Sequence, residues 1–370
     1  MTSRERILKA AHKQPTDCVP VAPYIGNYGA ALAGVPISKY NTNGKTMAEA
    51  QARAWEKHHL DVVVAQSDNY YIAQAFGVEI EQPENDTPFV TKTAISSLDE
   101  VDKLPQSIDV YKDGRIYVYL EAVQRLKEIF GSDVAIRSGG TGMFSLAGHM
   151  LGTQEFLTEL ALAEIDEDEG KHEKIALLMN RMTDALIAFS TAVVEAGSDF
   201  VVCGDSSASP DLISPAFYKK FVYPYEKRYF AEMEKVCQQH GAVRLLHICG
   251  NTTPILPLMC QTGADILEID HKVDLATARS IVGDDICLMG NLDPVAVLMD
   301  GSPDEVARRS LEAIDKAGLH GAFILGSGCE VAQRTPLRNI IAMRNIARGH
   351  HYDTGAGVSH ENGVSMVRGA

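Results

Sequence analysis

The chain has no surplus of positive charge: 34 lysines and arginines stand against 49 aspartates and glutamates, a formal net charge of −15. Nucleic-acid and anionic-membrane surfaces require clustered cations, so no nucleic acid and no membrane is expected among its partners. Long apolar runs are missing too. The longest charge-free stretch of the most apolar helix candidate, Ala185 to Val194, is closed by Asp184 and Glu195, well short of the roughly 20 residues that a membrane-spanning helix needs. The opening residues, MTSRERILKAAHKQP, carry charge and helical spacing where a secretory signal would have an apolar core and a small-residue cleavage site. A cytoplasmic location is the expectation. Seven cysteines in 370 residues are an odd and modest number, which disfavours a disulfide framework and favours a metal or redox role for a subset of them.

What is present is ordinary globular composition. Hydrophobic residues make up 45% and charged residues 22%, with a mean hydropathy of −0.07, enough for a sizeable core. Eight short, almost wholly apolar runs read as strands buried on both faces: VPVAPY near 19–24, DVVVA near 61–65, VAIRS near 134–138, DFVVCG near 199–204, VRLLHIC near 243–249, ADILEID near 264–270, ICLMGN near 286–291 and AFILGSG near 322–328. Between them lie helical patterns over Lys45–His59, Ile116–Phe130, Ile175–Ala196, Ala216–His240, Ala276–Val282 and Pro303–Ala317. Eight strands with helical crossovers predict an α/β fold, a (β/α)8 TIM barrel in a single domain over 1–348, and the excess over about 250 residues predicts insertions. These fall between the second and third strands, where a further strand pair (VEIEQ, FVTKT) occurs, and between the third and fourth, where the acidic run at 164–173 reads as a solvated loop and helix start. Thr2 with Glu5 and Ser97 with Glu100 have capping-box spacing, and Gly131 and Gly197 sit where helices should stop. Residues 349–370 lack periodicity and read as a loose C-terminal tail.

A barrel of this kind places function at the C-terminal ends of its strands. Those ends read Cys203-Gly204-Asp205, His247-Ile248-Cys249-Gly250, Glu268-Ile269-Asp270, Gly290-Asn291-Leu292-Asp293 and Gly326-Ser327-Gly328-Cys329-Glu330. Because strand side chains alternate, His247 and Cys249 at i and i+2 project to the same side. Cys329, on a glycine-flanked loop of the eighth strand, can reach that pair from across the mouth. One imidazole and two thiolates suit Zn²⁺, and three protein ligands leave a position open for substrate. Cys18, Cys203, Cys237, Cys260 and Cys287 read as small hydrophobes, and the pairs His58-His59 and His350-His351 as surface residues.

Taken together, these residues resemble the uroporphyrinogen decarboxylase superfamily, and within it the branch of zinc-dependent corrinoid (cobamide) methyltransferases. The resemblance runs from Arg4-Glu5-Arg6-Ile7-Leu8 and Val19-Pro20 through Ser67-Asp68, Gly204-Asp205, Ser214-Pro215 and Tyr223-Pro224 to Gly290-Asn291-Leu292-Asp293-Pro294 and Thr335-Pro336. In that branch a His-x-Cys pair and a distant Cys hold the metal, and His247, Cys249 and Cys329 stand at those places. The decarboxylases carry arginines after the first strand, whereas Pro23-Tyr24-Ile25-Gly26-Asn27-Tyr28 has no cation. Asp68, however, matches their substrate-binding aspartate, which keeps a metal-free decarboxylase of a tetrapyrrole-like acid as the alternative. A non-enzymatic barrel that binds a corrinoid or holds a structural zinc is the third reading.

The resemblance implies methyl transfer between a small substrate (an alcohol, aryl methyl ether, amine or thiol) and the cobalt of a corrinoid. No Asp-x-His-x-x-Gly segment of the kind that ligates cobalt occurs here, so a corrinoid protein or free cobalamin must be supplied from outside. By strand order Asp205 and Glu330 are candidates for a fourth zinc ligand or for orienting His247. Asp68, Tyr70, Asp270 and Asn291 are candidates for lining the pocket.

Overall fold

The computed structural model describes residues 1–318 and 321–350. Seven of the eight expected strands form regular ladders: β1 (Val62–Ala65), β4 (Ala135–Ser138), β5 (Phe200–Gly204), β6 (Val243–Ile248), β7 (Ile266–Ile269), β8 (Cys287–Leu292) and β9 (Phe323–Ser327), all parallel. Their residues are almost all buried, as expected of a sheet covered by side chains within and helices without. The remaining two strands, β2 (Glu79–Glu81) and β3 (Phe89–Lys92), are the antiparallel pair of the first insertion.

The first expected strand departs from regularity. Pro20 and Pro23 remove two of its ladder donors, so residues 19–22 pair with β9 only through a bridge at Val21–Leu325. That bridge nevertheless closes the barrel. Ala22 donates to the Leu325 carbonyl at 2.8 Å, Leu325 to that of Pro20 at 2.9 Å, and Asp61 to that of Val21 at 3.1 Å. On the other side of β4, Asp199 donates to Ile136 at 2.8 Å and Gly204 to Gly140 at 2.7 Å.

The bottom of the barrel is stapled by the N-terminal helix Ser3–Ala11, whose Thr2–Glu5 capping box forms as expected. Arg6 reaches Asp61 at 2.6 Å, which also accepts the Val21 N–H, and Arg4 reaches Asp199, which accepts the Ile136 N–H. The Arg-Glu-Arg segment therefore ties together four strands, the 19–22 segment, β1, β4 and β5, at the end opposite the functional strand termini. His350, the last described residue, accepts the Val19 N–H; the rest of the expected tail lies outside the described residues.

Three local expectations change. Ser97 makes no capping bond; the Glu100 carboxylate instead accepts the N–H and hydroxyl of Ser96, both at 2.8 Å. The helix expected over Ala216–His240 is interrupted by a wider π turn at Tyr218–Val222, just before Pro224, whose missing N–H breaks the ordinary ladder. His58 is not a surface residue. It is buried on the helix Gly44–His58, its Nδ1 accepts the Leu60 N–H at 3.2 Å, and burial pushes its pKa down to about 3. The most apolar helix, Glu169–Ala196, is long and apolar enough to cross a membrane, yet two thirds of its most apolar stretch is buried within the barrel's outer layer, so it reads as a core helix.

Candidate metal centre and cavity

His247 is the penultimate residue of β6 and Cys249 follows two residues later, so the pleat aims both side chains into the barrel mouth. His247 Nε2 lies 3.3 Å from Cys249 Sγ, and Cys249 Sγ lies 3.9 Å from Cys329 Sγ. The three donor atoms are all within 4.8 Å of one another. A tetrahedral zinc with bonds of about 2.0 Å to nitrogen and 2.3 Å to sulfur separates its donors by roughly 3.5 Å for N···S and 3.8 Å for S···S. The trio therefore fits the ion with little movement.

The ring is also presented in the right tautomer. His247 Nδ1 is 3.0 Å from the Glu268 carbonyl oxygen, which can only accept, so Nδ1 carries a proton and Nε2 is the nitrogen left to bind a metal, giving up its own proton when it does so. Burial alone would lower this imidazole, but Cys329 and Glu268 hold its pKa up to about 9. Cys249 is held below the usual thiol value, chiefly by Cys329 and in part by the Ser206 hydroxyl 3.2 Å away. Cys329 is pushed well above it by Cys249 and by burial. A cluster whose thiols and imidazole divide protons so unevenly is one from which a cation displaces protons on binding.

Glycines carry both cysteines to this point. Gly250 has φ +84°, and its N–H donates to Asp270 Oδ2 at 2.9 Å. At Gly328 a Cβ would stand 2.3 Å from the His271 nitrogen, so only glycine lets the strand carrying Cys329 pass this loop. Asp270 and Asn291, both expected in the pocket, are drawn into this scaffold. Asn291 Nδ2 donates to the carbonyls of Asp270 (3.0 Å) and Val273 (2.7 Å), and neither residue lines the cavity beside the trio.

That cavity, about 270 Å³, is lined by His247 and Cys329 together with Tyr24, Asp68, Tyr70, Arg137, Glu268 and Glu330, and Thr87 and Pro88 of the inserted hairpin lie at its wall. Asp68 and Tyr70, two of the pocket candidates, are thus among its lining residues. Glu330 also lines it, with Oε1 accepting the Asn27 N–H at 2.7 Å, and it is absent from the donor trio. Asp205 does not reach the trio. Its buried carboxylate accepts from Phe144 N, Ser145 N and Ser145 Oγ at 3.0, 2.7 and 2.7 Å, fixing the start of the helix Met143–Leu151. It stands instead beside Cys203 and Glu226, where burial and the Asp205 charge push Glu226 up to about 8.

Sequence reasoning missed two arginines. Arg137 binds Glu268 through both terminal nitrogens at 2.6 and 2.8 Å, and Arg115 binds Asp68 likewise at 2.9 and 2.8 Å, all four residues buried. The first pair left a signal: one charge of each sign inside the apolar runs AIRS and ILEI, which burial alone would forbid. Arg115 left none, because it precedes a helix far from Asp68 in the chain.

The profile of the uroporphyrinogen decarboxylase (URO-D) family matches residues 2–350. The chain belongs to that family. It is 31% identical over 357 residues, 95% of this chain and 99% of the other, to a methylcobamide:CoM methyltransferase (MtbA) of Methanosarcina mazei. It is 26% identical over 334 residues, 88% of this chain and 90% of the other, to a uroporphyrinogen decarboxylase of Myxococcus xanthus. A solved methyltransferase structure from Methanosarcina mazei superposes with a TM-score of 0.82 at 27% identity, covering 94% of this chain and 98% of that one.

Proposed function

We propose that this chain is a corrinoid-dependent methyltransferase that moves a methyl group between a small heteroatom substrate and the cobalt of a corrinoid supplied by a separate protein or as free cobalamin. One observation carries the reading: His247, Cys249 and Cys329 form an N/S/S donor set at zinc spacing, and the donor set borders a cavity at the barrel mouth. Zinc held there would lower the pKa of a bound thiol, or as a Lewis acid stabilise the oxygen left when a methyl group departs from an alcohol or ether.

The chain's own residues supply orientation. The Glu268 carbonyl fixes the His247 ring, Ser206 supports Cys249 through a hydrogen bond, and Asp270 with Asn291 anchors the Gly250 turn. The substrate's heteroatom is thereby confined to the side of the trio facing the cavity, open to a methyl group in line above it. The hairpin residues Thr87 and Pro88 form part of the cavity wall.

The decarboxylase alternative is disfavoured by Asp68. Its carboxylate is engaged by Arg115 and also accepts the Tyr70 N–H at 2.8 Å, so it is not free to bind a tetrapyrrole. A cavity of about 270 Å³ is small besides, at the lower limit of ligand pockets generally. The test is optical: the zinc-loaded protein, mixed with cob(I)alamin and a methyl donor or with methylcobalamin and an acceptor, is expected to give a time-dependent absorbance change that Cys249→Ser abolishes. Methyl transfer at an equal rate without any corrinoid would refute the reading.

A further inference from the structure

Every cation lining the cavity among the described residues is already committed. Arg137 gives both terminal nitrogens to Glu268, and its Nε is buried away from the opening. Arg115, behind the wall, spends its guanidinium on Asp68, the Asn41 carbonyl and Gln74. His247 is occupied by the Glu268 carbonyl on one nitrogen and faces the cysteines with the other. Of the three lining carboxylates, Asp68 and Glu268 are each matched by an arginine, and Glu330 is not. Its Oε1 is fixed by the Asn27 N–H, in a cradle so close that a Cβ on Gly26 would stand 3.0 Å from it. Among the described residues Oε2 accepts no hydrogen bond, and it is not a sealed, unpartnered atom, so it meets the cavity.

From this charge arrangement we infer the substrate class: the group exchanging methyl with cobalt belongs to a small molecule whose remote end is a neutral or cationic hydrogen-bond donor, a hydroxyl or an ammonium, received by Glu330. A sulfonate or carboxylate at that end is rejected. An anion entering the cavity would meet no free guanidinium or ammonium, and the ionised form of Glu330 would face it unmatched by any cation, an arrangement that discriminates by repulsion as much as by attraction. The formal charge of −15 on the whole chain adds repulsion at long range. The inference rests on the methyltransferase reading and separates this chain from its relative named for coenzyme M, which is 2-mercaptoethanesulfonate and therefore anionic.

The experiment loads the full-length protein with Co²⁺, whose sulfur charge-transfer and ligand-field bands report both the cysteine ligands and an added thiol. It then titrates cysteamine, 2-mercaptoethanol and 2-mercaptoethanesulfonate, which share thiol and spacer and differ only in the remote group. Cysteamine and mercaptoethanol are expected to bind about tenfold or more tighter than the sulfonate. Glu330→Gln should keep the cobalt spectrum and compress that ratio severalfold. Equal or tighter binding of the sulfonate overturns the inference, as does an unchanged ratio in Glu330→Gln. If that variant fails to fold, the wild-type ranking decides alone. A protein that shows no sulfur-to-cobalt band overturns the metal reading itself and removes the ground of the inference, an outcome distinct from a reversed ranking with the band present.

Discussion

Replacing Arg137 by methionine isolates the energetics of the cavity floor. The guanidinium and Glu268 are 3% and 2% exposed and joined by two short bonds, so neither charge is compensated by water. Removing one partner of such a pair leaves a buried charge unmatched, and Arg137→Met is expected to cost about 3–5 kcal/mol of folding stability. The pair itself is worth far less than that. Its attraction largely offsets the desolvation of both ions, so Arg137→Met with Glu268→Met, which replaces the pair by apolar side chains of similar reach, should return to within about 1 kcal/mol of the wild type or exceed it. Two features favour recovery: Arg137 Nε is a buried donor with no partner among the described residues, and its relief removes a standing cost; and the His247 anchor is the backbone carbonyl of residue 268, which survives side-chain replacement. Urea unfolding of the four proteins of the cycle, at fixed pH and with metal chelated, measures the terms. Two single-variant losses below about 1 kcal/mol each, or a double variant as damaged as their sum, would refute the claim that these charges are buried and mutually dependent.

Three further outcomes follow from named contacts. Cys249→Ser and Cys329→Ser should each lose stoichiometric zinc on metal analysis, while chelated wild type keeps its far-ultraviolet circular dichroism, because a barrel of this size has a core independent of the ion; loss of the dichroism on chelation would indicate a structural metal. His58 is held neutral by burial, with His59 and Arg344 adding to the effect, and its pKa falls from 6.5 to about 3. The unfolded chain therefore takes up a proton that the folded one refuses, so stability present above pH 6.5 is lost as pH falls toward 3, by roughly 2 kcal/mol at pH 5; His58→Asn should flatten that slope in unfolding titrations at pH 7.5 and 5, and an unaltered slope would show that His58 is not the group concerned. Gly328→Ala would press a methyl group against the His271 nitrogen and should weaken zinc binding through Cys329 by tenfold or more on the order of the usual loss from disturbing a metal's supporting residues, read by competition with a chromophoric chelator; unchanged affinity would mean that the loop yields freely.

The strands were legible because a barrel strand is apolar on both faces, a pattern that needs no partner to be recognised. The one misjudged strand, at residues 19–24, satisfies that pattern but contains Pro20 and Pro23, and a burial signal carries no information about which N–H groups the ladder requires. The candidate donor trio was legible in part for a similar reason: His247 and Cys249 are local, and the pleat alone puts them on one side. Cys329 needed closure of the barrel, which the strand count implies. What escaped was pairing over distance. Asp205, Asp270 and Asn291 were placed at the right end of the barrel, yet strand order fixes a residue's height and not the direction in which hydrogen bonds turn its side chain. Each is turned by backbone groups, the Met143–Leu151 helix start for Asp205, Gly250 for Asp270, and the 270 and 273 carbonyls for Asn291. Strand-end polar residues thus divide into those whose partners are backbone and those whose polar atoms are left over for a ligand, and only coordinates perform that division. By this criterion Asp205, Asp270 and Asn291 build the mouth, while His247 through Nε2, the two cysteines and Glu330 through Oε2 are the groups on which the proposed function rests.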